Sequence, residues 1–288
     1  MSFASARNHI HFITFGAGGK HYELASRRLV SEAKNSGMFS TSTFWNETDL
    51  FRSHYLALSD VTFIEKNPRG YGYWLWKPIM LLTILDQISP DDYLIYLDAG
   101  CELNLRSSSS RRKLIDYCER ASREGIVAFE TRFPVRAWTK RDLLSYTGFD
   151  AKSNIANQIE AGVLVIANCP ATRNFLKKWL EVMRVDEYRL LDDSQSFEKN
   201  YPEFIEHRHD QAIFTALYLS SQRAPAPPET HFGQSSGEWR KLGRSYPFWA
   251  SRNASRWPRH RLGPYGTSIR ILRFCNHKVR NIIKGSSS

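Results

Sequence analysis

The chain has 288 residues, 42% of them hydrophobic, and a formal net charge of +11 from 40 Lys and Arg against 29 Asp and Glu. That length suits one α/β domain with an appendage, and no run of about 18 apolar residues marks a membrane-spanning helix. Residues 1–9 lack the apolar centre of a signal peptide, and Cys101, Cys118, Cys169 and Cys275 show no paired spacing, which reads as free thiols in a reducing cytoplasm and not as a zinc site or a disulfide frame.

In chain order, His9 to Phe15 alternates and is rich in β-formers, which predicts a first strand. Gly16-Ala17-Gly18-Gly19 turns into an amphipathic helix over 21–36, Phe39 to Phe44 predicts a second strand, and 49–58 a short helix. A glycine-rich aromatic loop follows, Asn67 to Pro78, with one lysine, Lys77. Pro78 suits the first turn of a helix that runs to Ile88, and 89–92 turn the chain into the strand Tyr93 to Leu97. That strand is apolar on both faces, as a buried central strand should be. A polar loop at 106–110 precedes a charged helix at 111–124 and a short strand at 126–129. An irregular region at 133–150 holds a helical turn near 139–146. Strand 159–167 then leads to a helix over 171–184. An acidic stretch, Asp186 to Asp193, precedes a helix that Asp210 opens, and Pro225 to Pro228 close the domain. Strands alternating with helices predict an α/β fold with a mainly parallel sheet. There is no internal repeat.

The strand at 93–97 ends in Asp98-Ala99-Gly100. It therefore delivers a carboxylate to the C-terminal edge of the sheet, where open α/β folds bind ligands. An unpaired buried charge is costly, so Asp98 needs a metal ion, a ribose hydroxyl or a basic side chain, unless it merely starts a turn. The run Gly70-Tyr71-Gly72-Tyr73-Trp74-Leu75-Trp76-Lys77-Pro78, followed by Tyr96-Leu97-Asp98-Ala99-Gly100, resembles bacterial glycosyltransferases of the nucleotide-sugar-dependent GT-A type. The resemblance is to those of surface-polysaccharide gene clusters, for lipopolysaccharide or capsule. Two later stretches carry it further, Gln158 to Ile166 with its Gly162, and Glu206 to Phe214 with its His209-Asp210-Gln211, so that it spans roughly residues 9–233.

The resemblance implies a GT-A-like, Rossmann-type body and a nucleotide-sugar donor, a UDP-sugar first among the candidates. It implies a saccharide acceptor, in particular a lipid-linked polysaccharide or lipopolysaccharide. The nucleoside falls to Thr14, Phe15 and Gly16, with Tyr22 in reach, or that segment is an ordinary strand–helix turn; residues 16–20 fit neither common phosphate-loop pattern. Asp98 matches the first acid of the family's Asp-x-Asp motif, which contacts ribose and a divalent metal, and Ala99 and Gly100 line the donor with it. The third position is Gly100, and one acid does not hold Mn²⁺ or Mg²⁺, which take several oxygen ligands. Either Glu102 and His231 complete a metal shell, or the enzyme is metal-independent and uses Lys77 and arginines near the C-terminus for the diphosphate. Lys77 before a helix start suits a phosphate, or its stem covers apolar surface. Trp74 and Trp76 stack on sugar or belong to the core.

Glu160 interrupts an apolar strand before Ala161-Gly162, as a catalytic carboxylate or as a strand start at the edge. Asp210 is the first choice for the catalytic carboxylate, against the alternative of a helix cap, and Gln211 is a donor-sugar contact. Gln158, His207 and His209 are acceptor candidates. Histidines two residues apart do not share a helix face, so they do not form a paired zinc site.

The charge divides the chain at 237. Residues 1–237 carry 28 basic and 28 acidic side chains; from 238 onward there are 12 Lys and Arg and one acid, Glu238. The extension 238–288 interleaves Arg240, Arg244, Arg252, Arg256, Arg259 and Arg261 with Trp239, Trp249 and Trp257, and 268–284 form a basic amphipathic pattern. That composition suits an anionic membrane surface and a cytoplasmic protein peripheral to the inner face of the membrane. It also suits nucleic acid, or a helix packed on the body. Two other readings stand beside the transferase: a nucleic-acid-binding protein centred on the extension, which leaves the buried acid and aromatic loop unexplained, and a sugar-binding relative without catalysis.

Overall fold

The computed structural model describes residues 8–151, 156–230 and 245–253. It is an α/β fold around a five-stranded sheet of order β2-β1-β3-β6-β5. The strands are β1 (Ile10–Phe15), β2 (Thr41–Trp45), β3 (Tyr93–Leu97), β5 (Ile126–Pro134) and β6 (Asn157–Ala167). A separate two-stranded ribbon joins β4 (Glu102–Leu103) to β7 (Phe248–Trp249). β1 is parallel to β2 and β3, while β6 runs antiparallel to both β3 and β5. Four strands therefore share a direction and β6 opposes them, so the sheet is mixed but mainly parallel. β1 is buried throughout and β6 nearly so, which matches their unbroken apolar runs. β2 is the polar edge.

Eleven helical elements complete the described chain: α1 (Lys20–Ser36), α2 (Glu47–Phe51), α3 (Leu58–Lys66), α4 (Gly70–Tyr73), α5 (Trp76–Gln87), α6 (Ser108–Glu124), α7 (Val135–Trp138), α8 (Arg141–Thr147), α9 (Pro170–Met183), α10 (Val185–Tyr188) and α11 (His209–Ser220). One face of the sheet is covered by α1 and α6, whose Leu29, Leu114 and Tyr117 pack on Phe12, Ile95, Phe129 and Val165. The other face is covered by α5, α9 and α11, whose Leu82, Trp179 and Phe214 pack on Ile13, Leu94 and Leu164.

Several predicted bounds shift for local reasons. The helix expected over 49–58 is two helices. Asn46 caps α2, accepting from the amides of Thr48 and Asp49 while Asp49 accepts from the Asn46 amide, a reciprocal capping box. α5 starts two residues before Pro78, whose missing N–H falls among the four that a helix start leaves unpaired anyway. α4 is a left-handed turn: Gly70, Tyr71, Gly72, Tyr73 and Trp74 have φ of 60, 55, 79, 50 and 63°. Residues 245–253, inside the predicted extension, pack on the body through β7, with the Asn104 amide donating to the Pro247 carbonyl at 2.8 Å. The body therefore reaches at least Asn253, not residue 237. Nothing of 254–288 lies among the described residues.

Candidate active site

The C-terminal ends of β1 and β3, the first half of the antiparallel β6, the start of α11 and the left-handed α4 turn all meet at one sheet edge. They enclose a cleft of about 560 Å³, within the size of small-molecule sites. At its floor lies Lys77, 3% exposed. Its ammonium is 2.8 Å from Asp210 Oδ2 and 3.3 Å from Asp98 Oδ1, and donates to the Ala161 carbonyl at 3.3 Å. The ammonium thus forms ion pairs with two carboxylates and donates a hydrogen bond to one carbonyl. The rings of Trp74, Trp76 and Tyr96 surround the same nitrogen at 6.0, 5.9 and 5.8 Å.

Burial works against the Lys77 charge, but Asp210 and then Asp98 outweigh it and raise its pKa above that of an ordinary lysine. Asp210 is pushed up to about 6, chiefly by burial and further by the Asp98 charge, against the pull of Lys77. Asp98 is 41% exposed at its side chain and faces the cleft. The Tyr96 hydroxyl donates to its Oδ1, and burial followed by the Asp98 charge holds that phenol well above its usual range. A Cβ on Gly162 would stand 2.6 Å from Asp98 Oδ2; glycine is what leaves room for the carboxylate there. Glu160 lines the cleft and accepts from the Thr230 hydroxyl at 2.5 Å.

Of the other predicted residues, Phe15, Ala99, Gly100, His209 and Gln211 line the cleft. Phe15 stacks on Trp76 at 3.8 Å, and Tyr22 stands at the same end. His209 is held by the Leu191 carbonyl at 2.9 Å and stacks against Trp74; burial lowers its pKa.

The rest are turned elsewhere. Thr14 is buried within β1, and Gly16 packs so closely on Ser26 that a Cβ would meet its Oγ at 2.6 Å. Gln158 is fully buried, donating to Thr139 Oγ1 at 2.7 Å and accepting from Thr215 Oγ1 at 3.0 Å. His207 is buried between the Leu190 carbonyl and the Lys140 amide, and burial holds its pKa well below the usual value. Gln158 and His207 bind neighbouring segments of the fold and do not meet the cleft, which corrects their placement among acceptor contacts. Glu102 accepts from Ser251 Oγ and Asn253 Nδ2, both at 2.9 Å. His231 lies outside the described residues.

Of the expected metal set, the two described members, Asp98 and Glu102, do not converge. Asp98 Oδ1 is taken by Tyr96 and Lys77, Glu102 faces the β7 segment, and position 100 is glycine. Among the described residues no three His, Cys, Asp or Glu side chains converge as a metal site. The described donors therefore do not fit a Mn²⁺ or Mg²⁺ ion.

Sequence reasoning missed Tyr96, Arg208 and the structural role of Arg28. Tyr96 is signalled only by its position two residues before Asp98, which puts both on one side of the strand. Arg28, 5% exposed in α1, donates to the carbonyls of Ala99, Cys101 and Asn253 at 2.9, 2.8 and 3.1 Å. It ties the Asp98 turn to the returning C-terminal segment across more than 200 residues of sequence, a contact no local pattern announces.

No family model and no curated protein matches the chain. Among solved structures, mouse xyloside xylosyltransferase 1 in its apo form is similar at a TM-score of 0.42 and 12% identity, over 74% of this chain and 82% of that one. A glycosyltransferase involved in glycosylation of the major capsid of PBCV-1 is similar at 0.41 and 10%, over 86% and 94%. Core-mannan synthase A of Aspergillus fumigatus, in a Mn/GDP form, is similar at 0.31 and 7%, over 76% and 71%. All three scores lie below 0.5.

Proposed function

We propose that this chain transfers a sugar from a nucleotide-sugar donor, a UDP-sugar first among the candidates, to a saccharide acceptor. One observation carries the reading: a buried lysine bridges two carboxylates at the floor of an aromatic-walled cleft, at the ligand-binding edge of an α/β sheet. Such a cluster is expensive to build, and desolvation with a specific charge partner is what shifts pKa values at working sites. The nucleoside lies at the Phe15 and Tyr22 end, with Asp98 toward its ribose and Ala99, Gly100 and Gln211 along the donor. Asp210 is the carboxylate nearest the reacting centre, and Glu160 is second. The bond from the anomeric carbon to the diphosphate oxygen breaks, a bond from that carbon to the acceptor oxygen forms, and the acceptor's hydroxyl proton passes to a carboxylate. With a pKa of about 6, Asp210 is ionised near neutrality and still basic enough for that proton.

The finer reading is a lipid-linked polysaccharide or lipopolysaccharide acceptor, met by a cytoplasmic enzyme at the inner face of the membrane. Its support is the excess of basic residues from 238 onward. No helix among the described residues is long and apolar enough to cross a membrane.

The test is calorimetric titration of UDP, GDP and CMP, with and without Mn²⁺, into the wild type and Asp98→Asn. Binding of one nucleotide, weakened about tenfold or more by the substitution, is expected from losing a charged hydrogen-bond acceptor. Absence of nucleotide binding under every condition refutes the donor site. Binding of nucleotide sugar without turnover, with any acceptor or with water, would instead favour a non-catalytic sugar-binding protein, a reading to which the glycine at position 100 lends some weight.

A further inference from the structure

We propose that the cleft takes an acidic sugar and that Arg208 binds its carboxylate; this rests on the nucleotide-sugar reading above and adds the class of sugar. Four cationic side chains line the cleft: Arg69, Lys77, Arg208 and Arg252. Lys77 faces Asp98 and Asp210, which makes it a positioning residue for the two acids. Arg69 is 2.9 Å from both Asp193 and Glu206. Arg252 is engaged as well.

Arg208 is placed differently. Its backbone N–H donates to the Trp138 carbonyl at 3.1 Å, and its guanidinium lies over the Trp138 ring at 4.2 Å and near the Phe133 ring at 5.1 Å. The two rings meet edge to face at 5.3 Å. Such a platform fixes the plane of the guanidinium fork. Among the described residues the guanidinium makes neither a salt bridge nor a hydrogen bond. Its Nε is closed off from solvent in that state, whereas the terminal Nη1 and Nη2 are not. Glu206, two residues earlier, is spent on Arg69. Burial lowers the Arg208 pKa. A charge held this way without a partner is costly, and a ligand carboxylate offsets that cost while matching the fork.

The order of the sheet sets Arg208 apart from the nucleoside. Phe15 and Tyr22 mark the β1 end of the cleft. Phe133 lies at the C-terminal end of β5, and Trp138 ends α7 just beyond it. β3 and β6 stand between β1 and β5, so the two ends are three strand spacings, or about 14 Å, apart. Asp98 follows β3, and Lys77 gathers it with Asp210 and the Ala161 carbonyl of β6. The acids therefore lie between the nucleoside end and Arg208, which puts the guanidinium past the reacting centre, on the side of the sugars. One guanidinium balances one carboxylate. A phosphomonoester would bring a charge of about −1.5 to −2 in among Asp98, Glu160, Glu206 and Asp210, which all line the cleft. The carboxylate belongs either to the transferred sugar or to the acceptor, and in both cases it meets the same fork.

The experiment uses the full chain as wild type, Arg208→Gln and Arg208→Lys. Calorimetry compares UDP, UDP-glucose and UDP-glucuronate. NMR titration in the presence of UDP compares disaccharides of glucuronate and galacturonate with their neutral glucose and galactose counterparts. The wild type should prefer the acidic ligand about tenfold or more, in the first comparison if the carboxylate is on the transferred sugar and in the second if it is on the acceptor. Arg208→Gln should abolish that preference, and Arg208→Lys should keep part of it, since it retains the charge without the fork. UDP affinity and thermal midpoint should stay at wild-type values in both variants. A wild type without preference in either comparison, or a preference that survives in Arg208→Gln, overturns the acidic-sugar reading and leaves the donor site standing. Weakened UDP binding in Arg208→Gln at an unchanged thermal midpoint also overturns it, by assigning the guanidinium to the diphosphate. Failure of UDP and both UDP-sugars to bind the wild type overturns the nucleotide-sugar reading and this one with it.

Discussion

At the residue scale the site is organised by charges that need each other. Removing Lys77 strands two carboxylates, one of them almost fully buried. We expect Lys77→Met to destabilise the fold by about 3–5 kcal/mol, the cost of breaking a buried pair from one side, measured by urea unfolding. The sign of the pH dependence follows from Asp210. Its folded pKa of about 6 lies above the ordinary 3.8. Across that window the folded chain keeps a proton that the unfolded chain has released, so stability falls as pH rises from about 4 to about 6 and then levels off. Replacing Asp210 with Asn should flatten that slope. In kinetics, the acid limb of kcat/KM for donor hydrolysis should lie near pH 6. Asp98→Asn removes a like charge and should move the limb down, whereas Lys77→Met removes the opposing charge and should move it up. Limbs that coincide in all three proteins would rule out Asp210 as the titrating base. Gly162→Ala tests the space around Asp98. Its Cβ would displace Oδ2, so transfer or hydrolysis should fall about tenfold or more, against about 1–3 kcal/mol in stability from overpacking.

At the element scale, the α4 turn shapes the aromatic wall. A left-handed backbone costs about 1–2 kcal/mol per non-glycine residue, and here Tyr71, Tyr73 and Trp74 accept it. The surrounding contacts hold them: the Tyr73 hydroxyl donates to Asp193 Oδ2 at 3.0 Å, and Trp76 Nε1 donates to the Gly70 carbonyl at 3.0 Å. Gly72 permits close packing on α3, since a Cβ would stand 2.5 Å from Ile64 Cγ1 and 3.1 Å from its Cα. Gly148, with a similar φ of 66°, has nothing within 4 Å of its Cβ position. Gly72→Ala should therefore cost about 2–4 kcal/mol, from strain and overpacking together, and Gly148→Ala only about 1 kcal/mol. Equal shifts in the urea midpoint would mean that backbone strain alone governs both positions.

At the scale of the whole molecule, the chain closes on itself. Arg28 in α1 holds the Asp98 turn and Asn253 together, and β7 pairs with β4. A chain ending at Asn253 therefore keeps the body intact, whereas one ending at 237 loses Arg252 and the β7 strand. The shorter truncation, after Asn253, removes eight Lys and Arg and no acid. It should retain UDP binding and lose association with phosphatidylglycerol vesicles, which flotation would detect. For the full chain, that association should weaken as salt is raised. Unchanged flotation of the truncated chain would disconnect the basic extension from the membrane. Tight, salt-sensitive binding to oligonucleotides in place of vesicles would support the nucleic-acid reading of the same charge.

The sequence by itself determined the α/β class and the buried strand that ends in Asp98, whereas a common site for the aromatic loop, Glu160 and Asp210 was implied only by the resemblance to glycosyltransferases. The first two are local signals, because apolar runs, turns and helix starts are written in consecutive residues. It did not determine that β6 runs antiparallel, since a strand buried on both faces reads the same in either direction. The direction of each polar side chain also lay beyond it. Gln158 and His207 spend their hydrogen bonds on neighbouring segments, Lys77 pairs with two acids, and Arg252 returns over the Asp98 turn. Each of these depends on contacts between residues far apart in the chain, and only the folded arrangement decides which partner a buried charge or hydrogen-bonding group will meet.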